Sequence, residues 1–259
     1  MRAGIIGNGF IAQKHKEAIK KMGWEYIGAW DVVPEKCEVS LGEIMEKADI
    51  IHICTPNVFH HQFLPKDKKL IIEKPVAINS SSVPDIDACV CYQRRFDRQA
   101  KEVKALCEKK KPKRIKANIF VPRDPHYWEC WRGDKFMSGG GALMNIGIHY
   151  LDLLIWWLGD DYKILEASTG FFQRSIDESA YAKLQFGDTI VDFNICARFH
   201  KRDIEYCVFW DKDYYIYDTD DATHLELLQG FLDGKYVDPK EAAKSLKLVE
   251  EIYDFSSHA

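Results

Sequence analysis

The chain has 259 residues, 46% hydrophobic and 29% charged, with a formal net charge of −4. That length accommodates two cores, and the composition is that of a folded globular protein. The acidic balance argues against a nucleic-acid surface, for which a basic domain is expected.

Residues 1–7 read as a buried strand and 11–22 as a helix. Further strands follow at 25–31, 48–56, 69–75 and 87–96, three of them stopped by Asp31, Pro56 and Pro75. Strand–helix alternation with continuous apolar strands predicts a parallel sheet covered on both faces. Residues 98–111 form an amphipathic helix, with Ala100, Val103, Leu106 and Cys107 on its apolar side. After Pro112 the pattern changes. A strand at 114–122 leads into a Trp- and Gly-rich loop and a helix over 140–158. Strands at 162–172, 179–187, 189–198, 204–210 and 213–217 are separated by turn signals and predict an antiparallel sheet. Two helices, 221–234 and 239–254, close the chain, the second opened by Asp238-Pro239.

Eight cysteines are present and none forms a C-x-x-C pair. No His, Cys or acidic spacing announces a metal site, so none is expected. Free thiols suit a reducing compartment. No secretory signal is recognisable at the N-terminus. The apolar run "YLDLLIWWLG" is far short of a membrane span and carries Asp152. These features predict a cytoplasmic protein with neither a membrane nor a nucleic-acid partner.

The stretch "GIIGNGFIAQKHKEAI" places Gly7-x-Gly9-x-x-Ala12 between a strand and a helix. A dinucleotide site needs a tight turn, close backbone approach to a pyrophosphate and close helix–strand packing, which glycine, glycine and a small residue supply in that order. Phe10 and Ile11 then open the helix whose N-terminal amides would face the phosphates. Asp31 ends the next strand, 19 residues after Ala12, where an acid can bind the ribose 2′-hydroxyl and favour NAD over NADP. The alternative is a glycine turn with an unrelated surface acid.

Three further stretches sit at the C-terminal ends of predicted parallel strands, the edge at which such sheets bind ligands. They are Thr55-Pro56-Asn57 with His60, Glu73-Lys74-Pro75, and "YQRRF" with Arg95. Here the sequence resembles the glucose–fructose oxidoreductase / inositol dehydrogenase family (Gfo/Idh/MocA). The resemblance assigns Thr55, Pro56, Asn57, His60, Glu73 and Pro75 to the cofactor side and makes Lys74 the catalytic lysine, with the proline commonly cis. The stretch "RDPHYWECWRGDKFMSGGGALMNIGIHYLDLLIWWLG" looks like the family's substrate loop and first long helix. Within the family, "WRGD…SGGG…NIGIH" most resembles the UDP-N-acetylglucosaminuronate 3-dehydrogenases of surface-polysaccharide biosynthesis. His149 inherits a catalytic and substrate-binding role. Many members carry an acid four residues before it, where this chain has Asn145, on the same face of a helix. Asn145 cannot act as a general base, which leaves proton transfer to Lys74, His149 or water. Arg95, Arg123 and Arg132 are candidates for carboxylate or diphosphate contacts, with Trp131 beside them. Each arginine reads equally as a surface residue, and each tryptophan as packing under a loop.

The expected architecture is a shortened α/β Rossmann domain, 1–111, followed by an α+β domain with an open antiparallel sheet, 112–259. The C-terminal helices are expected to pack back on the first domain. The intervals from Asp31 to Ala48, from TPN to EKP and from EKP to Arg95 are short for the family. A bare sheet edge there would favour covering by a partner subunit, and the resemblance itself implies a homodimer or homotetramer. The implied activity is NAD-dependent oxidation of a sugar secondary hydroxyl, C3 of a UDP-N-acetylated uronic acid. The alternatives are a dehydrogenase of a free sugar or cyclitol, and a trimmed, non-catalytic dinucleotide-binding protein.

Overall fold

The computed structural model describes residues 1–171, 175–218 and 223–258. The chain divides into two compact units. The first takes Met1–Gln93 and a return segment ending at Ala243; the second begins at Arg94 and, after that segment, resumes at Lys244.

The first unit is a five-stranded sheet in the order β2-β1-β3-β4-β5, made of β1 (Arg2–Ile6), β2 (Glu25–Trp30), β3 (Ile50–Ile53), β4 (Lys69–Ile72) and β5 (Cys89–Val90). All neighbouring pairs are parallel. The central strands are apolar on both sides, and every residue of β3 is buried, as a sheet covered on both faces demands. Helix α1 (Phe10–Lys21) buries Ala12, His15, Ala18 and Ile19 and carries Lys20 and Lys21 in its last turn, where they favour the C-terminal dipole. Helix α2 (Leu41–Lys47) is short, capped by Ser40, and buries Ile44. A parallel pair ordinarily requires a helical crossover. Here β3 connects to β4 through the 3-10 turn Asn57–Gln62, and β4 to β5 through Ser80–Ser82. The short intervals in the sequence are these reduced crossovers. The β5 edge is not wholly bare, since Val90 N–H donates to the Val237 carbonyl at 2.8 Å.

The sequence-based boundary at 111 differs from the observed division at 93/94. Helix α3 (Arg98–Lys109) belongs to the second unit because it packs on α5 (Ile148–Leu158). Trp157 Nε1 donates to the Ala100 carbonyl at 3.0 Å. Lys104 and, just past the helix, Lys111 donate to the Trp156 and Trp157 carbonyls at 2.7 and 2.9 Å. Cations thus satisfy the C-terminal end of α5.

The second unit carries a six-stranded sheet in the order β11-β10-β6-β9-β8-β7. Its strands are β6 (Arg114–Phe120), β7 (Lys163–Gly170), β8 (Ser179–Phe186), β9 (Thr189–Cys196), β10 (Asp203–Phe209) and β11 (Tyr214–Tyr217). The sheet is mixed rather than wholly antiparallel, because β6 and β9 pair in parallel. The intervening chain, which includes α4 (Lys135–Ser138), α5, β7 and β8, is long enough to return in the same direction. Strict alternation of burial along β8 and β9 shows one packed face. Tyr206 Oη donates to the Tyr150 carbonyl at 2.8 Å, tying that face to α5.

The expected helix over 140–158 has two parts, a π-helical segment at Leu143–Gly147 and then α5. Counted from Lys135 to Leu158 this stretch is long and apolar enough to cross a membrane, more than "YLDLLIWWLG" alone indicates. Its most apolar window is 89% buried inside the protein. In the return segment, α6 (His224–Leu232) starts with a capping box between Thr223 and Glu226. It packs on α1 within the first unit. Helix α7 (Pro239–Ser257) follows, and the division between the units falls within it.

Candidate active site

In the first unit the candidate cofactor residues gather at the C-terminal ends of β1 to β4. Gly7 has φ +94°, and a Cβ there would lie 2.7 Å from the Cys54 carbonyl and the Thr55 nitrogen, so the turn requires glycine. Its N–H donates to the Trp30 carbonyl at 2.7 Å. Gly9 is the N-cap of α1 and has no side-chain cap. Among the described residues, no atom beyond its chain neighbours lies within 4 Å of where its Cβ would be. The chain itself therefore does not demand glycine at this position, whereas a ligand close to the backbone would. Phe10 projects beside it, 76% exposed, and Ile11 is half-buried.

Asp31 follows β2. Its carboxylate accepts the Asn8 N–H at 2.7 Å and the Val33 N–H at 2.9 Å, which brings it against the glycine turn. The buried Thr55 hydroxyl, next to the same turn, has no hydrogen-bond partner among the described residues. An open glycine, uncapped helix amides, an acid and an orphaned hydroxyl together fit an adenine dinucleotide. Pro56 caps the 3-10 turn that carries the buried Asn57 and His60. His60 Nε2 lies 3.0 Å from the Thr55 carbonyl, to which it donates, and burial lowers its pKa.

Lys74 and Pro75 follow β4 through a cis peptide bond. Lys74 is half-buried. Glu73 differs from its expected place in the cofactor contacts. It is buried, and its Oε1 accepts from His15 Nε2 at 3.0 Å and His224 Nε2 at 2.9 Å. Its Oε2 receives the Lys74 N–H at 3.3 Å. Burial opposes its ionisation, but the two imidazole hydrogen bonds overcome this and hold the carboxyl well below its usual range. Glu73 thus fixes the backbone of the lysine beside it. His15 Nδ1 lies 2.8 Å from His52 Nδ1, and burial lowers the pKa of both rings. Cys91 completes a group with His15, Glu73 and His224 that the sequence reading missed. Positions 15, 73, 91 and 224 share no local spacing, so no motif could announce them.

In the second unit Arg123 and Arg132 stack on the Tyr127 ring, each guanidinium carbon 4.9 Å from its centroid. Arg132 also lies 4.6 Å from the half-buried Trp131 ring. Arg123 Nε is buried and has no hydrogen-bond partner among the described residues. Trp128 is buried and packs edge-on against Tyr127, so it supports the loop. Asp124 and Asp134 cap the following turns through the His126 and Phe136 N–H groups.

Asn145 and His149 are both buried. Asn145 lies in the π segment and donates from Nδ2 to the Gly140 and Gly141 carbonyls at 2.7 and 3.0 Å. The simple i, i+4 argument therefore does not describe this pair, because the wider π turn changes the angle between them. Asp177, also missed, holds the glycine run: its carboxylate accepts the Gly141 and Leu143 N–H groups at 2.8 Å each and the Tyr253 hydroxyl at 2.6 Å. A Cβ on Gly141 would meet the Asp177 carbonyl oxygen at 1.9 Å. Arg95 departs from its expected role. Its Nε and Nη2 fork onto Asp152 at 2.7 Å each, in a buried ion pair. That arginine serves the packing of this unit and is not carried forward as a substrate ligand.

Residues 1–95 match the profile of the oxidoreductase family with an NAD-binding Rossmann fold, and residues 99–216 match the GFO/IDH/MocA C-terminal domain. The chain belongs to the GFO/IDH/MocA family. It carries that family's NAD-binding Rossmann fold and is an oxidoreductase of that class. Among solved structures it resembles the WlbA dehydrogenase of Bordetella pertussis, determined with NADH and UDP-GlcNAcA (22% identity, 99% of this chain and 96% of that one, TM-score 0.87). It also resembles the WlbA (WbpB) dehydrogenase of Thermus thermophilus with NAD and UDP-GlcNAcA (20% identity, 96% and 93% covered, TM-score 0.78). A third likeness is to the UDP-N-acetylglucosamine 3-dehydrogenase GnnA of Acidithiobacillus ferrooxidans (15% identity, 99% and 98% covered, TM-score 0.79). At these identities the likeness establishes the fold.

The place of Asp31 leads to a prediction about cofactor choice. A carboxylate that accepts ribose hydroxyls repels a 2′-phosphate. NAD is expected to bind at least about tenfold more tightly than NADP, a difference of ~1.4 kcal/mol, and Asp31→Ser is expected to narrow the ratio. Titration of both cofactors checks this; tighter NADP binding by the unaltered protein would remove Asp31 from the site.

Proposed function

We propose that the protein is an NAD-dependent dehydrogenase that oxidises C3 of a UDP-linked N-acetylated uronic acid, in nucleotide-sugar metabolism for a surface glycan. The observation that carries this reading is the Arg123–Tyr127–Arg132 stack. Two guanidiniums meet on one ring in a chain of net charge −4, and one of them keeps a buried nitrogen with no hydrogen-bond partner among the described residues. Guanidiniums bind carboxylate and diphosphate oxygens bidentately, and a substrate with both groups supplies such acceptors. The solved relatives determined with UDP-GlcNAcA support the same substrate class.

In this reading the proton of the reacting hydroxyl goes to Lys74 or to His149. Desolvation and a neighbouring nicotinamide cation would shift the lysine toward a useful pKa. Bound NAD supplies the hydride acceptor. Asn145 braces the glycine run, while Trp131 and Arg132 offer a flat, cationic face to the substrate. The enzyme is expected to work as a homodimer or homotetramer.

The test is NADH formation with UDP-N-acetylglucosaminuronate, UDP-N-acetylglucosamine, UDP-glucuronate, glucose and myo-inositol, at low and high salt. The first is expected to be preferred, and its KM to rise with salt as screening weakens the attraction. Neutral sugars or cyclitols are expected to show little of that dependence. An added 2-oxo acid recycles any tightly held NADH, so that a single turnover is not scored as inactivity. Preference for a neutral polyol would overturn the substrate assignment.

A further inference from the structure

We infer that His15, Glu73, Cys91 and His224 form a buried binding site for one divalent transition-metal ion of the zinc class. The inference is independent of the substrate reading, because all four residues lie in the first unit and none was assigned to the sugar.

The ligand atoms of the four side chains all lie within 4.8 Å of one another. They come from α1, the end of β4, the residue after β5 and the first residue of α6. All four residues are buried. The two imidazole Nε2 atoms approach one carboxylate oxygen, Glu73 Oε1, at 3.0 and 2.9 Å. Tetrahedral zinc with bonds of about 2.0–2.1 Å to nitrogen and oxygen separates those atoms by about 3.3 Å, and a thiolate lies somewhat farther out. Each imidazole nitrogen already stands close to this spacing from the carboxylate oxygen. The sulfur lies within 4.8 Å of the other three donor atoms, where a tetrahedral thiolate would stand about 3.5 Å from them.

The donor chemistry narrows the ion. Two imidazoles, a carboxylate and a thiol form a mixed nitrogen, oxygen and sulfur set, which suits zinc and disfavours magnesium and calcium. Carboxylate and thiolate together cancel the charge of a divalent ion, so that the occupied site is neutral in a buried place.

The surroundings match those of a ligated histidine. The second ring nitrogen of a metal-bound imidazole is ordinarily held by a hydrogen bond that sets its tautomer. His15 Nδ1 has such a partner, His52 Nδ1, at 2.8 Å. The other oxygen of Glu73 is held by the Lys74 N–H. An ion here would lock the helix that follows the glycine turn to the strand end that carries Lys74 and to α6. The competing state is a metal-free hydrogen-bond network in which both Nε2–H groups donate to Glu73.

The two states are separated by metal analysis of the whole protein, purified without a histidine tag or chelator from zinc-supplemented cells. One zinc per chain is expected by elemental mass spectrometry. Unfolding in chelator and refolding with Co2+ is expected to give a thiolate-to-cobalt charge-transfer band and the strong visible bands of tetrahedral cobalt. Cys91→Ala and, independently, His224→Gln are expected to reduce bound metal below about one-tenth per chain. Thermal unfolding of the unaltered protein is expected to shift upward with added zinc, and NAD titration reports that the first unit is folded in every sample. Bound metal below about one-tenth per chain in the unaltered protein, with no cobalt bands, would overturn the site in favour of the hydrogen-bond network. Retention of the metal by both folded variants would overturn it equally.

Discussion

Lys74→Met is expected to lower kcat by ~10²–10⁴-fold, the usual worth of a positioned acid–base group, and to leave NAD affinity and thermal stability nearly unchanged. Methionine keeps the unbranched apolar stem of lysine and removes the group that moves a proton. The position of the side chain is set from behind. Glu73 is fixed by His15 and His224 and takes the Lys74 N–H. None of these contacts uses the ammonium, so the variant is expected to preserve them. Lys74→Arg provides the second arm. Arginine retains the positive charge and cannot release a proton in the working range. Equal loss in both variants identifies proton transfer as the role, whereas rescue by arginine would identify charge. Activity of Lys74→Met within a few-fold of the unaltered protein would show that the EKP lysine carries no chemistry here.

The parallel sheet and its cofactor turn were legible because their signals are local. A strand, two glycines at fixed spacing, a small residue and a helix require neighbouring residues to meet a backbone constraint, and Gly7 meets it with a φ only glycine adopts readily. The parallel β6–β9 pair was not legible, because short turns between later strands say nothing of which strand β6 chooses. The π segment at Leu143–Gly147 was hidden too. Its apolar residues fit an α-helix equally well, and what sets it apart is the Asp177 carboxylate, 34 residues from Leu143, that takes the first amides. The histidine–glutamate–cysteine cluster lies further still beyond sequence reasoning. His15 is one polar residue within a helix and Cys91 one of eight thiols without metal-ligand spacing, and only folding puts both beside Glu73 and His224. Arg95 shows the opposite error. A strand-end arginine in a ligand-binding fold invites a substrate role, and its partner was in view at Asp152, read only as a charge that interrupts an apolar run.

That pair sets the other large expected effect. Asp152→Ala is expected to destabilise the protein by about 3–5 kcal/mol, the usual cost of breaking a buried ion pair by removing one partner. Against a total stability of about 5–15 kcal/mol this is a large fraction. The side chains of Arg95 and Asp152 are 10% and 1% exposed, and the fork uses two hydrogen bonds of 2.7 Å. Solvent reaches this pair poorly, and the cation–π contact with the Trp156 ring, 5.6 Å from the guanidinium, is weaker than the lost fork. The double variant Arg95→Met/Asp152→Leu is expected to recover most of the loss, because an apolar pair of similar volume avoids desolvating two charges. Urea unfolding of the single and double variants measures both steps. The same variants separate packing from substrate binding. If Arg95 served the substrate, the double variant would fold well but show a KM for an anionic nucleotide sugar raised far above that of the unaltered protein. The fork onto Asp152 leads instead to a stable double variant with a nearly unchanged KM. A loss below about 1 kcal/mol in Asp152→Ala, the size expected of a surface pair, would show that the guanidinium finds water or another acceptor and that the pair does not hold this unit together.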